Sequence, residues 1–405
     1  MSIQTRRELS ATFGPRYRKC RGVNKQQVLD EFISATGYHR KYAIALLNKL
    51  PVAKVKLPRK TRPKTYDAIV QKALQGVWEI ANRPCGKRLV PFLPTLVESL
   101  SRHGEIDWDK SLRDKVLAIS PATADRLLKA ARATADQRGK TTTKPGTLLK
   151  NQIPIRTFSE WDDHKPGFFE VDLVAHCGDT TRGEYLCTLT LTDIETQWTE
   201  ILAIRNRSQI AVSEAIAQAR NLLPFTMLGL DSDNGAEFIN HNLHRYCVEE
   251  KITFTRCRPY KKNDQCHVEQ KNWSIVREHV GYDRMETDEE CRRLRSLYTS
   301  LRLYVNFFQP SLKLTHKERF GAKVKKQYDK AQTPYQRLLA SATLTAEQAK
   351  VLKERYERLN PAQLWRMLGK EKERLWHAVK VRNESAATNT SGQEMGKPTQ
   401  LELEA

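Results

Sequence analysis

The stretch "GLDSDNGAEF" (229–238) sets three acids, Asp231, Asp233 and Glu237, around a tight Asn234-Gly235 pair, at the end of the apolar run "FTMLGL". A run of that kind reads as a buried strand, and carboxylates at the mouth of a buried strand call for a cation or a polar partner. Upstream, "GFFEVDLVAH" (167–176), "EYLCTLTLTDI" (184–194) and "QWTEILAIRN" (197–206) are rich in β-branched, aromatic and apolar residues, and turn-prone "CGDTTRG" and "ET" separate them. Three strands with joints that short form an antiparallel meander. "SQIAVSEAIAQARNLL" (208–223) then reads as an amphipathic helix capped by Ser208, and "FTMLGLD" (225–231) as a fourth strand. "NHNLHRYCVEEK" (240–251) reads as a helix, "ITFTRC" (252–257) as a fifth strand and "CHVEQKNWSIVREHV" (266–280) as a helix. The order βββαβαβα predicts an α/β fold, a mixed five-stranded sheet with flanking helices, because helical crossovers join the later strands.

Three acids stand out on this frame. Asp172 lies in the first strand, on the opposite side of the pleat from Val171 and Leu173, where an Asp is paired or bound to a cation. Asp233 follows the fourth strand, and Asn234-Gly235 permits a turn that aims it back over the sheet. Glu269 falls in the first turn of the last helix, with 35 residues between it and Asp233. Asp231 reads as an exposed strand-end acid, Glu237 as a turn or helix-entry charge, and Asp179 and Asp193 as turn residues.

"VDLV", "SDNGAEF" and "RPYKKNDQCHVEQKNW" together resemble the catalytic core of the retroviral-integrase superfamily, as found in bacterial insertion-sequence transposases and retroviral integrases. The resemblance covers about 160–310, including "LRLYVNFFQPSLKL" (301–314), which is similar to the helix and proline turn that close such cores. It implies a ribonuclease H-like fold and a DDE enzyme with Asp172, Asp233 and Glu269 as catalytic residues and metal ligands. The implied chemistry is phosphodiester transfer at two Mg²⁺ ions, with Mn²⁺ as a substitute, in which one oxygen attacks phosphorus as another leaves. Hard cations take oxygen ligands, which accounts for carboxylates. Asp172 would bridge the ions, with Asp233 on one and Glu269 on the other. The implied partners are double-stranded DNA, both element ends and target, and a homo-oligomer, at least a dimer on DNA. A DNA-binding regulator on an inactive core and a ribonuclease H-like nuclease without strand transfer are the alternatives.

Charge supports a nucleic-acid partner. The chain of 405 residues carries +22 overall, but residues 1–150 hold 31 Lys and Arg against 12 Asp and Glu, while the rest hold 38 against 35. A basic balance so concentrated is the footprint of a polyanion binder. Within 1–50, Val28, Leu29, Phe32 and Ile33 form one apolar stripe, Thr36-Gly37 breaks it, and Ala43, Ile44, Leu46 and Leu47 form a second, a helix-turn-helix pattern that sets His39, Arg40 and Lys41 toward DNA. A proline- and lysine-rich linker (51–65) precedes a second helical, helix-turn-helix-like domain (66–135), whose last helix starts at Ser120-Pro121 and aligns Arg126, Lys129 and Arg132. A linker (136–155), the catalytic domain (156–312), a basic helical region (313–380) and a disordered tail (381–405) complete the expected order. Lys261 and Lys262, ahead of the catalytic helix, and Lys271 and Arg277 on it, are further candidates for gripping DNA.

The eight cysteines are scattered without a CxxC pair, so neither a zinc module, such as retroviral integrases carry, nor a disulfide framework is expected. No stretch nears the ~20 apolar residues that span a bilayer, and "MSIQTRRELS" lacks a signal-peptide core. A bacterial, cytoplasmic, nucleoid-associated protein is the expectation.

Overall fold

Three helices account for residues 3–48: α1 (Ile3–Lys19), α2 (Gly22–Thr36) and α3 (Arg40–Asn48). Ser2 caps α1 by accepting from the Thr5 amide at 3.1 Å. Gly37 ends α2 in the left-handed region, φ 69°, where its amide reaches the Ile33 carbonyl. Tyr17, Val28, Leu29, Phe32, Ala43 and Leu47 form the interior. The stripes expected in α2 and α3 are there; α1 was not expected, because among its own residues only Gly14 and Tyr17 are buried. Arg18 ties α1 to the end of α3 by donating to the Leu47 carbonyl at 2.6 Å. The computed structural model describes residues 1–49, 65–133, 165–258 and 265–394. They fall into two compact units, Met1–Thr65 and Tyr66–Ala405. The expected linkers at 51–65 and 136–155, Thr65 aside, and the candidates Lys261 and Lys262 lie outside the described residues.

The second unit starts with α4 (Ala68–Ile80), α5 (Gly86–Arg102), α6 (Lys110–Leu117), α7 (Pro121–Leu127) and α8 (Lys129–Arg132). Ser120 caps α7 and Pro121 begins it, as the sequence predicts. The expectation of a separate 66–135 domain is corrected: these helices belong to the same unit as the sheet. The reason is apolar surface. Val70, Leu74, Val77 and Trp78 of α4 and Leu89, Phe92, Leu93, Leu96 and Leu100 of α5 are all buried in the core that also holds the strands, more than two short helices can cover by themselves.

The sheet comprises β1 (Phe168–Ala175), β2 (Cys187–Asp193), β3 (Thr199–Ile204), β4 (Gly229–Ser232) and β5 (Thr253–Arg256), ordered β3-β2-β1-β4-β5. β1 to β3 form the antiparallel meander; β4 lies parallel to β1, and β5 parallel to β4. The crossovers are α9 (Gln209–Leu222), capped by Ser208, and α10 (His241–Glu249), capped by Asn240. Mixed sheet and crossover helices are as predicted. The fourth strand is shorter than expected. Phe225 and Met227 are buried, with Phe225 stacked on Phe169 at 5.8 Å, but ladder bonding starts only where Leu228 and Gly229 both donate to the Gly167 carbonyl. Asp193 holds the β2–β3 turn, accepting from the Gly167 and Thr196 amides at 2.8 and 2.7 Å.

After β5 comes α11 (Cys266–Lys271), a π-helical turn (Asn272–Arg277) and α12 (Glu278–Val280), one continuous helical run, then α13 (Asp288–Phe308). α13 is fastened to the sheet through a buried ion pair, Arg302 Nη2 donating to Glu200 Oε1 at 2.7 Å, with the Trp198 indole donating to the same oxygen at 2.9 Å. It also meets the helical layer: the Tyr304 hydroxyl donates to the Ile80 carbonyl, and Gln309 to that of Ala81 at 3.0 Å.

Two expectations for the C-terminal part are corrected. The region 313–380 is not wholly helical: it opens with a hairpin, β6 (Leu314–Phe320) and β7 (Lys323–Tyr328), before α14 (Pro334–Ala340), α15 (Ala346–Arg358) and α16 (Pro361–Glu394). The strands are dominated by charge and bury no face, so no apolar alternation betrays them; Gly321, at φ 58°, makes the turn. The segment expected to be disordered from 381 continues α16 as far as Glu394. Its anchor is a cation and not an apolar stripe, since Arg382 pairs with Glu290 at 2.9 Å and Glu286 at 3.1 Å. Among the described residues, no helix is long and apolar enough to cross a membrane.

Arg302→Met leaves the Glu200 carboxylate buried without its counter-ion. It is expected to cost about 3–5 kcal/mol, read as a lower urea midpoint with little change in slope.

Candidate active site

β1 brings two carboxylates to one side of the sheet, because Glu170 and Asp172 are two residues apart on a strand. Glu170 is fully buried, and its Oε2 accepts from the His267 and Val268 amides at 2.9 and 3.0 Å. Those are unpaired donors at the start of α11, and a carboxylate there satisfies both and complements the helix dipole. Asp172 Oδ1 accepts from the Leu173 amide and Oδ2 from Asn272 Nδ2, both at 2.7 Å. Arg277 completes the seam by donating to the Ala175 carbonyl at 2.9 Å. The run that carries Glu269 is thus fastened to β1 at Glu170, Asp172 and Ala175, and Glu269 itself is exposed.

Asp233 follows β4. Its Oδ1 accepts from the Gly235 amide at 2.8 Å, while Asn234 Nδ2 donates to the Cys257 carbonyl at 3.0 Å and clamps the turn to the end of β5. Gly235 leaves room and does not serve a left-handed backbone: a Cβ there would stand 2.8 Å from both Asp233 Oδ1 and Glu237 Oε2, so both carboxylates would have to shift. Glu237 is therefore part of this site, contrary to the reading of it as a turn charge. Asp231 is not an exposed strand-end acid. It is fully buried opposite Glu170 in the β1–β4 register, and its Oδ1 accepts from Thr255 Oγ1 at 2.6 Å.

The acids share one electrostatic field. Asp172 is pushed up to about 7 from 3.8, first by burial, then by the charge of Asp233, with Glu269 and Glu237 adding to it. Asp233 is raised by burial and by Glu237, against the Gly235 amide, which lowers it. The charges of Asp233, Glu269 and Glu237 thus all reach Asp172. Among the described residues no three His, Cys, Asp or Glu side chains close into a cage. The donor set nevertheless fits a hard cation, since every available donor is a carboxylate oxygen and Mg²⁺ usually takes one or two of these plus water.

The predicted cations fare unevenly. His39, Arg40 and Lys41 are exposed at the start of α3, with Arg40 paired to Asp30 at 2.9 Å. Arg126 and Lys129 are exposed. Arg132 is not turned outward: it pairs with Asp125 at 2.7 Å, donates to the Pro84 carbonyl and covers the Trp78 ring. Lys271, expected on the outside, is 8% exposed and lowered to about 8 by burial, with Arg88 and Arg337 adding to the effect. Arg277 is committed to Ala175 and the Tyr282 ring. Sequence reading missed Glu170 and Asn272. The signal for Glu170 was an acid two places before Asp172 in "FFEVDLV"; Asn272, three past Glu269, carried no mark of its own.

No family model matches the chain. Over 332 residues it is 43% identical to the uncharacterized protein y4rM of Sinorhizobium fredii (strain NBRC 101917 / NGR234), a match covering 81% of this chain and 93% of that one. The chain belongs to the same family as y4rM. Among solved structures, the catalytic core domain of BIV integrase in crystal form I overlaps 43% of this chain and 95% of its own, with a TM-score of 0.28 and 18% identity. The HTLV-2 integrase catalytic core domain in complex with magnesium (dimeric form) overlaps 36% and 91%, with a TM-score of 0.28 and 15% identity.

Two outcomes follow. Folded Asp172 keeps its proton up to about 7 and the unfolded chain releases it near 3.8, so the folded state binds more protons between these values. Its carboxylate therefore costs stability as pH rises through that window, and fully above it. Metal-free Asp172→Asn should melt ~2–4 °C above wild type at about pH 8 and level with it at about pH 4, with saturating Mg²⁺ raising only the wild type; equal melting at about pH 8 speaks against a repulsive cluster. Glu170→Gln should speed amide exchange at His267 and Val268 by roughly tenfold and cost about 1–2 kcal/mol, seen by hydrogen exchange and urea unfolding.

Proposed function

We propose that this protein is a DDE transposase that binds the ends of a mobile element, cuts there and joins the 3′ ends to target DNA. The observation that carries the reading is the charge converging on Asp172: on a β3-β2-β1-β4-β5 sheet this first-strand acid feels Asp233 beyond the fourth strand and Glu269 on the following helix. Carboxylates that raise one another's proton affinity are held together where a bound cation or a shared proton offsets the repulsion, and three acids from separate elements suit a cation. In this reading Asp172, Asp233 and Glu269 hold two Mg²⁺ ions, with Glu237 as a further oxygen donor. The ions, when bound, polarise the phosphodiester and favour the deprotonated attacking oxygen.

The chain's own residues orient the site. Asn272 fixes the rotation of the Asp172 carboxylate, Glu170 fixes the start of the helix that presents Glu269, and Gly235 leaves Asp233 and Glu237 room on one side of the turn. For the cut, a water oxygen forms a bond to phosphorus as the bond to the 3′ oxygen breaks. For joining, the freed 3′ hydroxyl attacks a target phosphodiester and displaces its 3′ oxygen in turn. Neither step needs a protein nucleophile. α2 and α3, parted by Gly37, serve as a helix-turn-helix with His39, Arg40 and Lys41 on its outer side, and two ends require at least a dimer on DNA.

A strand-transfer assay with a pre-cut terminal-repeat duplex and Mg²⁺ tests this. Asp172→Asn, Asp233→Asn and Glu269→Gln should each lower joining by at least ~10³-fold while changing DNA affinity by less than about threefold. Cleavage without joining would make the protein a nuclease, binding alone a regulator. A wild-type protein that joins nothing with its own ends sinks the proposal.

A further inference from the structure

We propose that the β6–β7 hairpin is a second DNA-binding element, a two-stranded ribbon that enters the major groove of a duplex. Every residue of β6 is exposed, as is every residue from Val324 to Tyr328. Such a ribbon is marginal unless something covers it. The register places Lys317 opposite Lys326 and Arg319 opposite Val324, so one face presents three cations and no acid. Among the described residues, none of the three has an acidic partner. Like charges facing each other across a strand pair are destabilising, so this face is arranged for an anionic partner and not for the hairpin's own stability. On the other face Glu318 opposes Lys325 and Phe320 opposes Lys323, so an acid stands only on that face and the excess of positive charge is larger on the first. Tyr328, two residues from Lys326, is 51% exposed, offering apolar contact beside the cations.

The base of the hairpin is firm. The Lys313 amide donates to Asp329 Oδ1 at 2.7 Å, the Asp329 amide donates to the Lys313 carbonyl at 3.0 Å, and Arg337 pairs with Asp329. Lys313 Nζ pairs with Glu195 in the β2–β3 turn, and Gln197 of that turn bonds His267 Nδ1 at 3.0 Å. His267 is two residues before Glu269, so the ribbon is rooted at the end of the sheet where the site's helix begins. Duplex DNA is the occupant favoured. Three cations without an acid match a polyanion, and the narrow major groove of A-form RNA excludes a ribbon that B-form DNA admits.

The inference rests on DNA being the partner, but not on strand transfer. Its test is anisotropy of a labelled random-sequence duplex with the full chain, without metal, across a salt series. Lys317→Ala/Arg319→Ala/Lys326→Ala should weaken binding at least ~10-fold near 0.1 M salt and lower the salt slope by about 2–3, roughly one per lost phosphate contact. Lys317→Arg/Lys326→Arg, which keeps the charge, should retain both. Removing three exposed cations from α15 (Lys350→Ala/Lys353→Ala/Arg358→Ala) should do far less. Unchanged binding in the first variant, an equal loss in the α15 variant, an equal loss on duplex RNA, or a lost dimer with DNA affinity intact would each overturn the assignment. A wild-type chain that binds no duplex would remove the DNA reading as well.

Discussion

The contact on which the site depends is the one between the Glu170 carboxylate and the first amides of α11. A strand and a helix that cross have no intrinsic register, and an exposed acid on the helix could stand at many heights above the sheet. Two amides on one buried carboxylate oxygen remove that freedom. Asn272 on Asp172 and Arg277 on Ala175 then fix the rotation and the far end. Each bond is worth a few kcal/mol at most, but together they set the height and rotation over β1 of the helical run that carries Glu269.

That position is electrostatically uphill. Burial and three neighbouring charges hold the Asp172 proton far above its ordinary range, so the rest of the unit supplies the stability that keeps the acids together. Much of it comes from Arg302 on Glu200, the aromatic cluster of Phe307, Tyr335 and Tyr356, and the helices α4 and α5 that share the core with α13. The helices that read as a separate module are thereby part of the scaffold.

How much of this was legible follows the physics. The meander, the crossovers and the helix over 266–280 were readable because apolar periodicity and turn residues carry strands and helices directly. Asp172 and Asp233 were readable because an acid on a buried strand or beyond its end is conspicuous. Glu237 and Asp231 were misjudged because exposure is a tertiary property: only the fold decides that Asp231 is sealed under Thr255 and that Glu237 shares the space beside Gly235. Lys271 shows the same limit, since a lysine on a polar-looking helix can still face inward. The hairpin escaped because its lysines bury no face, and α16 ran on past 381 because one arginine with two glutamates did the work usually assigned to an apolar stripe.

Gly235 carries a consequence of a different kind. The space its missing Cβ leaves is shared by the carboxylates of Asp233 and Glu237, so a Cβ there would shift both. The arrangement of these two acids is therefore sensitive to an uncharged position that carries no titratable group. Volume alone can rearrange the acids here, by a change that alters no charge and leaves the ladder of the sheet in place.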